Sequence, residues 1–287
     1  MTTLDALARP SGTFAMVAMD QRESLRTMLA QHHPAPVADE RLVAFKLAVA
    51  RELAPHASGF LIDREFAFDA VVAQGLVPPS CGLILAVDVL EQPPGGVVED
   101  TGLEEGVEPD PAVALKLLVI WRDDEERERR LETSRRFVEL AGRHGVLAVL
   151  EGVVRGEPGF DREGAIVEAA RELSSVGPSL YKCEVPLHGR GDPAEIVRRA
   201  RAIDEAVSCP WVVLSQGVEP DDFPRAVEAA CRAGASGFLA GRALWTATLA
   251  ADDPTALLRE YSVPRLRELA AIVDRYGRPW YGRGEPA

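Results

Sequence analysis

Eight short, nearly continuous apolar runs punctuate the chain: Phe14–Met19, Gly59–Ile62, Gly82–Val87, Val113–Trp121, Val146–Leu150, Leu180–Val185, Trp211–Leu214 and Gly237–Ala240. Stretches of helical periodicity separate most of them: Glu23–Gln31 with Asp39–Ala54, then Asp124–His144, Arg162–Val176, Pro193–Val207, Asp222–Ala233 and finally Pro254–Tyr276. Apolar strands alternating with amphipathic helices predict a parallel sheet covered on both faces. Eight repeats of the unit favour closure as a (β/α)8 TIM barrel, an α/β fold with residues 1–287 in one domain, over an open doubly wound sheet. A dinucleotide-binding sheet would need GxGxxG after the first strand, where the chain reads MDQR at 19–22.

Two segments break the rhythm. Residues 91–111, between the third and fourth strands, are acidic and rich in proline and glycine, and they predict an irregular connection on the strand C-terminal face. The tail 277–287 sets Trp280 and Tyr281 among glycines and prolines; packing across the barrel or a neighbouring subunit and simple disorder are both open.

Composition narrows the class. The apolar fraction of 47% suits a sizeable globular core. No run of eighteen apolar residues exists and the first residues show no signal-peptide pattern, which predicts a soluble, cytoplasmic protein without a membrane partner. Cys81, Cys183, Cys209 and Cys231 are widely spaced and read as reduced thiols. A net charge of −13 argues against nucleic acid as a partner, so an anionic substrate must find a local cationic pocket.

Lysine usage points to that pocket. Of 32 cationic side chains only Lys46, Lys116 and Lys182 are lysines. Codon bias explains their scarcity, but not why Lys116 and Lys182 interrupt hydrophobic strands, where an ammonium is costly. Lysine differs from arginine in being able to lose a proton and act as a nucleophile. Lys46, in the helical pattern 42–53, reads as a solvated or snorkelling side chain. In a barrel the chemistry sits at strand C-terminal ends, which here carry Asp20, Asp63, Asp88, Glu151, Ser215 and the pair Gly241 and Arg242. Asp63 and Asp88 read as turn or cap residues. Asp20, Lys116, Glu151 and Lys182 together follow the logic of a Schiff-base enzyme. Lys182 attacks a carbonyl, Lys116 lowers its pKa and supports an oxyanion, Glu151 transfers protons, and Asp20 orients and compensates the lysines. The competing reading is a buried ion-pair network.

Ser215 and Gly217 after the seventh strand, with Gly241 and Arg242 after the eighth, form a candidate phosphate cradle. Gln21, Arg22, Arg155 and His188 are candidates for a second anionic group or for plain solvated side chains. The five histidines show no ligand spacing, so no divalent-metal site is apparent, which disfavours a zinc-dependent mechanism.

The motifs FAMVAMDQR (14–22), PVAD (36–39), ALKLL (114–118), LYKCEVP (180–186) and AGASGFLAGR (233–242) resemble the class I aldolase family that contains tagatose-1,6-bisphosphate aldolase and sulfofructosephosphate aldolase. The likeness runs nearly end to end, and LYK (180–182), FDR (160–162) and FLAGRALW (238–245) look closer to the sulfofructosephosphate branch. The resemblance implies that Lys182 is the Schiff-base lysine, with Lys116, Glu151 and Asp20 at the other catalytic positions. It implies a cofactor-free homo-oligomer acting on a phosphorylated ketose. Gly152, Gln216 and His188 depart from the family pattern beside the pocket, which bears on the aldehyde end of the substrate. The expectation is cleavage of 6-deoxy-6-sulfofructose 1-phosphate to dihydroxyacetone phosphate and sulfolactaldehyde. The alternatives are a tagatose- or fructose-1,6-bisphosphate aldolase and a non-catalytic sugar-phosphate-binding barrel.

Overall fold

The computed structural model describes residues 2–33, 36–93 and 96–282. Its strands are β1 (Phe14–Met19), β2 (Gly59–Asp63), β3 (Gly82–Ala86), β4 (Asp88–Glu91), β5 (Asp100–Leu103), β6 (Ala114–Trp121), β7 (Leu147–Val154), β8 (Leu180–Cys183), β9 (Trp211–Val213) and β10 (Gly237–Ala240). Eight of them close into a parallel barrel in the order β1-β10-β9-β8-β7-β6-β3-β2. The ring is completed by β1, which pairs with β2 on one side and with β10 on the other, Phe14 opposite Gly237.

The helices are α1 (Glu23–Ala30), α2 (Asp39–Leu53), α3 (Phe68–Ala73), α4 (Arg127–His144), α5 (Arg162–Ser175), α6 (Pro193–Ala206), α7 (Phe223–Ala233), α8 (Arg242–Trp245), α9 (Thr255–Leu257) and α10 (Val263–Tyr276). Local chemistry starts several of them. The Asp161 carboxylate accepts the Gly164 N–H at 3.1 Å, and Asp192 accepts the Ala194 N–H at 2.9 Å with Pro193 at the first helical position. The predicted final helix is broken: α9 passes through a π-turn at Leu258–Ser262 into α10, just before Pro264, which has no N–H to continue an α-ladder. No helix among the described residues is long and apolar enough to cross a membrane.

The core has two layers. A large outer one lies between barrel and helices, and a second fills the barrel with Phe14, Met16, Leu61, Ile84, Ala114, Val149, Leu180, Val212 and Leu239. Leu4 and Leu7 join that inner layer and Trp280 packs against it. The Trp280 N–H donates to the Gly12 carbonyl at 2.9 Å, so the tail up to Gly282 packs on the barrel; 283–287 fall outside the described residues.

Residues 91–111 differ from expectation. Part of the segment is an antiparallel hairpin, β4 with β5, with Val89 opposite Gly102. Contacts with the β6 backbone and with α4 hold it in shape. The Thr101 hydroxyl donates to the Leu118 carbonyl at 2.6 Å, and Asp100 pairs with Arg129 and Arg130 of α4. The hairpin occupies the place of a third crossover helix.

Candidate active site

Alternation along the strands sets the site on top of the apolar filling. Ala114 of β6 and Val149 of β7 face inward, and two residues on stand Lys116 and Glu151. The register places Glu151 beside Lys182 of β8. Glu151 was expected at a strand end, but β7 continues to Val154 because its pairing with the long β6 runs on to Trp121. The carboxylate therefore sits inside the barrel mouth rather than on a loop.

Glu151 bridges both lysines, with Oε2 2.9 Å from Lys116 Nζ and Oε1 2.9 Å from Lys182 Nζ. Lys116 also reaches Asp20 at 2.7 Å and Asp88 at 3.1 Å. All five side chains are buried. Burial opposes the charge of Lys116, yet Asp20, Asp88 and Glu151 outweigh it and raise its pKa well above the ordinary lysine value. Burial likewise works against the carboxylates of Asp20 and Glu151, but Lys116 and then Lys182 prevail and both pKa values are lowered. Lys116 is thus a held ammonium, and Asp20 and Glu151 are held carboxylates.

These groups open into a cavity of about 180 Å³ that is also lined by Gln21, Arg155, Ser215, Gly241 and Arg242. Leu118, Ile120, Val153 and Leu214 form an apolar collar, and the hairpin contributes Leu90, Gln92, Val97 and Val98. Ser215 is buried, and its Oγ accepts a long bond from the Ala243 N–H at 3.4 Å, tying the loop after β9 to the start of α8. Gly241 permits close packing on β1, since a Cβ there would lie 2.4 Å from the Ala18 carbonyl oxygen. Burial lowers the pKa of Arg242; Glu151 and Asp20 oppose that effect and Arg155 reinforces it. Burial also lowers the pKa of Arg155. Two incompletely compensated guanidiniums facing one cavity favour an arriving anion.

Several expectations change here. Arg22 does not line this cavity; it donates to the Asp88 carbonyl at 2.8 Å and pairs with the Asp88 carboxylate at 3.5 Å. His188 also lies off the cavity, with Leu187 in left-handed backbone, and its ring covers the loop at Gly217. Gly217 has φ +76°, and a Cβ there would come 2.6 Å from His188 Nδ1, so it shapes the loop behind the cavity lining rather than the lining itself. Lys46 is not solvated. It is fully buried, pairs with Asp63 and donates to two backbone carbonyls. Asp63 does accept a turn N–H, from Phe66 at 2.9 Å, and pairs with Lys46 besides.

Asp88 is the site residue that sequence reasoning missed. Ile84 and Ala86 face the barrel interior, so the period of two along β3 pointed to position 88 as the next inward residue. Asp88→Asn is expected to lower kcat about 10-fold, the order of effect of one hydrogen bond to a charged group. Steady-state kinetics check it, and an unchanged kcat would remove Asp88 from the site.

Among the described residues no group of three or more His, Cys, Asp or Glu side chains is arranged to hold a metal ion. A family model described as "DeoC/LacD family aldolase" matches residues 14–247. Tagatose 1,6-diphosphate aldolase 2 of Streptococcus agalactiae serotype III (strain NEM316) is 25% identical over 319 aligned residues, covering 98% of this chain and 97% of that one. The tagatose 1,6-diphosphate aldolase of Staphylococcus haemolyticus (strain JCSC1435) is 26% identical over 284 residues, covering 86% and 85%. A solved Schiff-base-forming fructose-1,6-bisphosphate aldolase superposes with TM-score 0.61 at 20% identity over 94% of this chain and 98% of its own. The fructose-bisphosphate aldolase of Plasmodium falciparum superposes with TM-score 0.71 at 12% identity over 96% and 94%. At those identities the structural likeness speaks for the fold alone.

Proposed function

The chain belongs to the DeoC/LacD family of aldolases, carbon–carbon lyases, and we propose that it cleaves a ketose 1-phosphate through a Schiff base on Lys182. The observation that carries this reading is the single carboxylate of Glu151 held 2.9 Å from each of two buried lysines. Glu151 takes a proton from Lys182, whose free amine adds to the C2 carbonyl of the substrate. Lys116 is kept as an ammonium by three carboxylates, and once Glu151 is protonated the N–H that faced it turns to the oxygen that gains charge. Protonated Glu151 gives its proton to the alkoxide and takes one from the new C–N nitrogen, which yields the neutral carbinolamine; it then gives that proton to the hydroxyl, which leaves as water, and the iminium forms. The iminium accepts the electron pair of the C3–C4 bond while Glu151 removes the C4 hydroxyl proton, which releases the aldehyde. Protonation of the enamine at C3 and hydrolysis of the iminium return dihydroxyacetone phosphate and the free lysine.

Arg242, Ser215 and Gly241 line the cavity together and suit the 1-phosphate, with Gly217 shaping the loop beside them. Arg155 and Gln21 remain for the other end of the sugar. One guanidinium matches a singly charged sulfonate better than a phosphate, which is near dianionic at neutral pH. The preferred substrate is therefore 6-deoxy-6-sulfofructose 1-phosphate, giving sulfolactaldehyde. A second reading, tagatose 1,6-bisphosphate, is favoured by the names of the curated relatives.

Borohydride reduction in the presence of dihydroxyacetone phosphate should leave a stable adduct on Lys182 by mass spectrometry. No adduct would reject the Schiff base on Lys182; absent product formation as well would leave a non-catalytic binding barrel. The ratio of kcat/KM for the sulfonated and bisphosphorylated ketoses separates the two substrate readings. Arg155→Gln is expected to lower kcat/KM for the anionic-aldehyde substrate about 10- to 100-fold, as for loss of a charge-assisted hydrogen bond, with dihydroxyacetone phosphate trapping unchanged. A loss of trapping in that variant would reassign Arg155 to the 1-phosphate.

A further inference from the structure

Lys46 is the lysine that the proposed scheme leaves idle. It lies on α2 and takes no part in the cavity lining, so it does not touch substrate. Its side chain is 0% exposed. Its Nζ donates to the Met19 carbonyl at 3.0 Å and to the Gln21 carbonyl at 2.7 Å, and it pairs with the Asp63 carboxylate. Three ammonium donors thus meet three acceptors. Met19 and Gln21 are the residues on either side of Asp20.

We propose that Lys46 is a positioning residue for the aldol reaction, gripping the backbone on both sides of Asp20 and so fixing where that carboxylate meets Lys116. The inference rests on the reading that Asp20 supports Lys116 during turnover. β1 ends at Met19, and the chain must turn there into α1. Asp20 lies in that turn, and its Oδ2 must stay 2.7 Å from Lys116 Nζ across the barrel mouth. Side-chain length is short in aspartate, so its reach is set by its backbone. Two bonds from one fixed ammonium hold that backbone at both adjoining carbonyls. The same grip fixes Gln21, whose side chain lines the cavity.

The chemistry of the clamp suits lysine. A guanidinium is planar and spreads its donors over a fork, whereas the ammonium is a compact point from which three bonds diverge. A purely structural ion pair at this place could be replaced by apolar residues with little loss. Two backbone carbonyls, however, cannot be replaced, and they lose the bonds that Lys46 donates when it goes. Asp63 then opposes the burial that lowers the pKa of Lys46, and its other oxygen closes the turn at Phe66.

The test compares Lys46→Met/Asp63→Asn with Asp63→Asn alone. The double variant removes both charges yet keeps an acceptor for the Phe66 N–H. Its kcat is expected to fall about 10- to 100-fold, the scale of a misplaced catalytic group, with KM within about threefold of wild type. Asp63→Asn leaves the amine on both carbonyls, and its kcat should stay within about fivefold on the same scale. Each variant is assayed below its Tm and again in sucrose, which favours the compact state. A double variant with wild-type kcat overturns the proposal. So do losses that track Tm in both variants and vanish in sucrose. Borohydride trapping on the wild-type enzyme separates the two assignments. An absent Lys182 adduct rejects the Schiff-base reading, while the kcat comparison, read from product formation, still judges Lys46.

Discussion

Exchange of Lys182 for methionine is expected to lower turnover at least about 10,000-fold and to abolish borohydride trapping, the scale seen when a covalent nucleophile is removed. No other amine can take over. Lys116 is within 2.9 Å of the same Glu151 carboxylate, but three carboxylates hold it as an ammonium with no lone pair to offer. Lys46 is fully buried behind Asp20 and outside the cavity. Methionine matches lysine in length and would sit above Val149, Leu180 and Val212, so the barrel should stay folded. Lys182→Arg adds a second control, because it keeps a cation beside Glu151 and removes only the nucleophile. Single-turnover assays and mass spectrometry give the readout. Turnover of either variant within about 100-fold of wild type would place the covalent chemistry elsewhere, since that is the reach of positioning effects alone.

Glu151→Gln should cost about 100- to 10,000-fold in kcat, the usual contribution of a positioned general acid–base. The pH dependence distinguishes this from a packing defect. Burial raises the Glu151 pKa, but Lys116 and Lys182 pull it below the ordinary glutamate value of about 4.3, so the resting enzyme holds a carboxylate throughout the neutral range. The acid limb of kcat/KM should therefore lie below that value in wild type and disappear or move in the glutamine variant. Stability follows the same sign. Asp20 and Glu151 have folded pKa values below their unfolded ones, so their contribution is present above about pH 4 and is lost as pH falls through the folded values. Lys116 behaves oppositely: its contribution is complete below about pH 10.4 and is lost only as pH rises through its raised folded value. Tm measured against pH should hold level through neutrality and drop on the acid side. The drop should be shallower in Glu151→Gln; an equally steep one would mean that other carboxylates govern acid unfolding.

The barrel was legible because each strand is apolar on both faces and bounded by turn residues, so β1 and β10 stood out with the same limits the structure shows. Continuous apolarity also hides the inward-outward alternation. Position 88 shares the parity of Ile84 and Ala86, yet an aspartate after a strand looks like a turn until the register is known. Lys46 was misread for a different reason. On α2 it is one charge on an amphipathic surface, and its partners Met19, Gln21 and Asp63 belong to other elements that only the closed barrel brings near. The hairpin of β4 and β5 owes its order to Arg129 and Arg130 on α4 and to Leu118 on β6, which proline and glycine content cannot reveal. Lys116 and Lys182 were visible because charges inside apolar runs are costly enough to need a reason, and Glu151 because it follows the fifth run at a strand C-terminal end.

The pairing of β1 with β10 has a consequence for biosynthesis. As the chain leaves the ribosome, β1 emerges first, and one of its edges has no partner until residues 237–240 follow. Through most of translation the nascent sheet therefore carries two bare edges, one on β1 and one on the newest strand, each able to recruit foreign strands. Residues 20–236 must be made before these edges can meet. Closure joins strands more than 200 residues apart, so this contact comes late and raises the contact order of folding. Until β10 is made, that edge of β1 stays open to pairing with other strands.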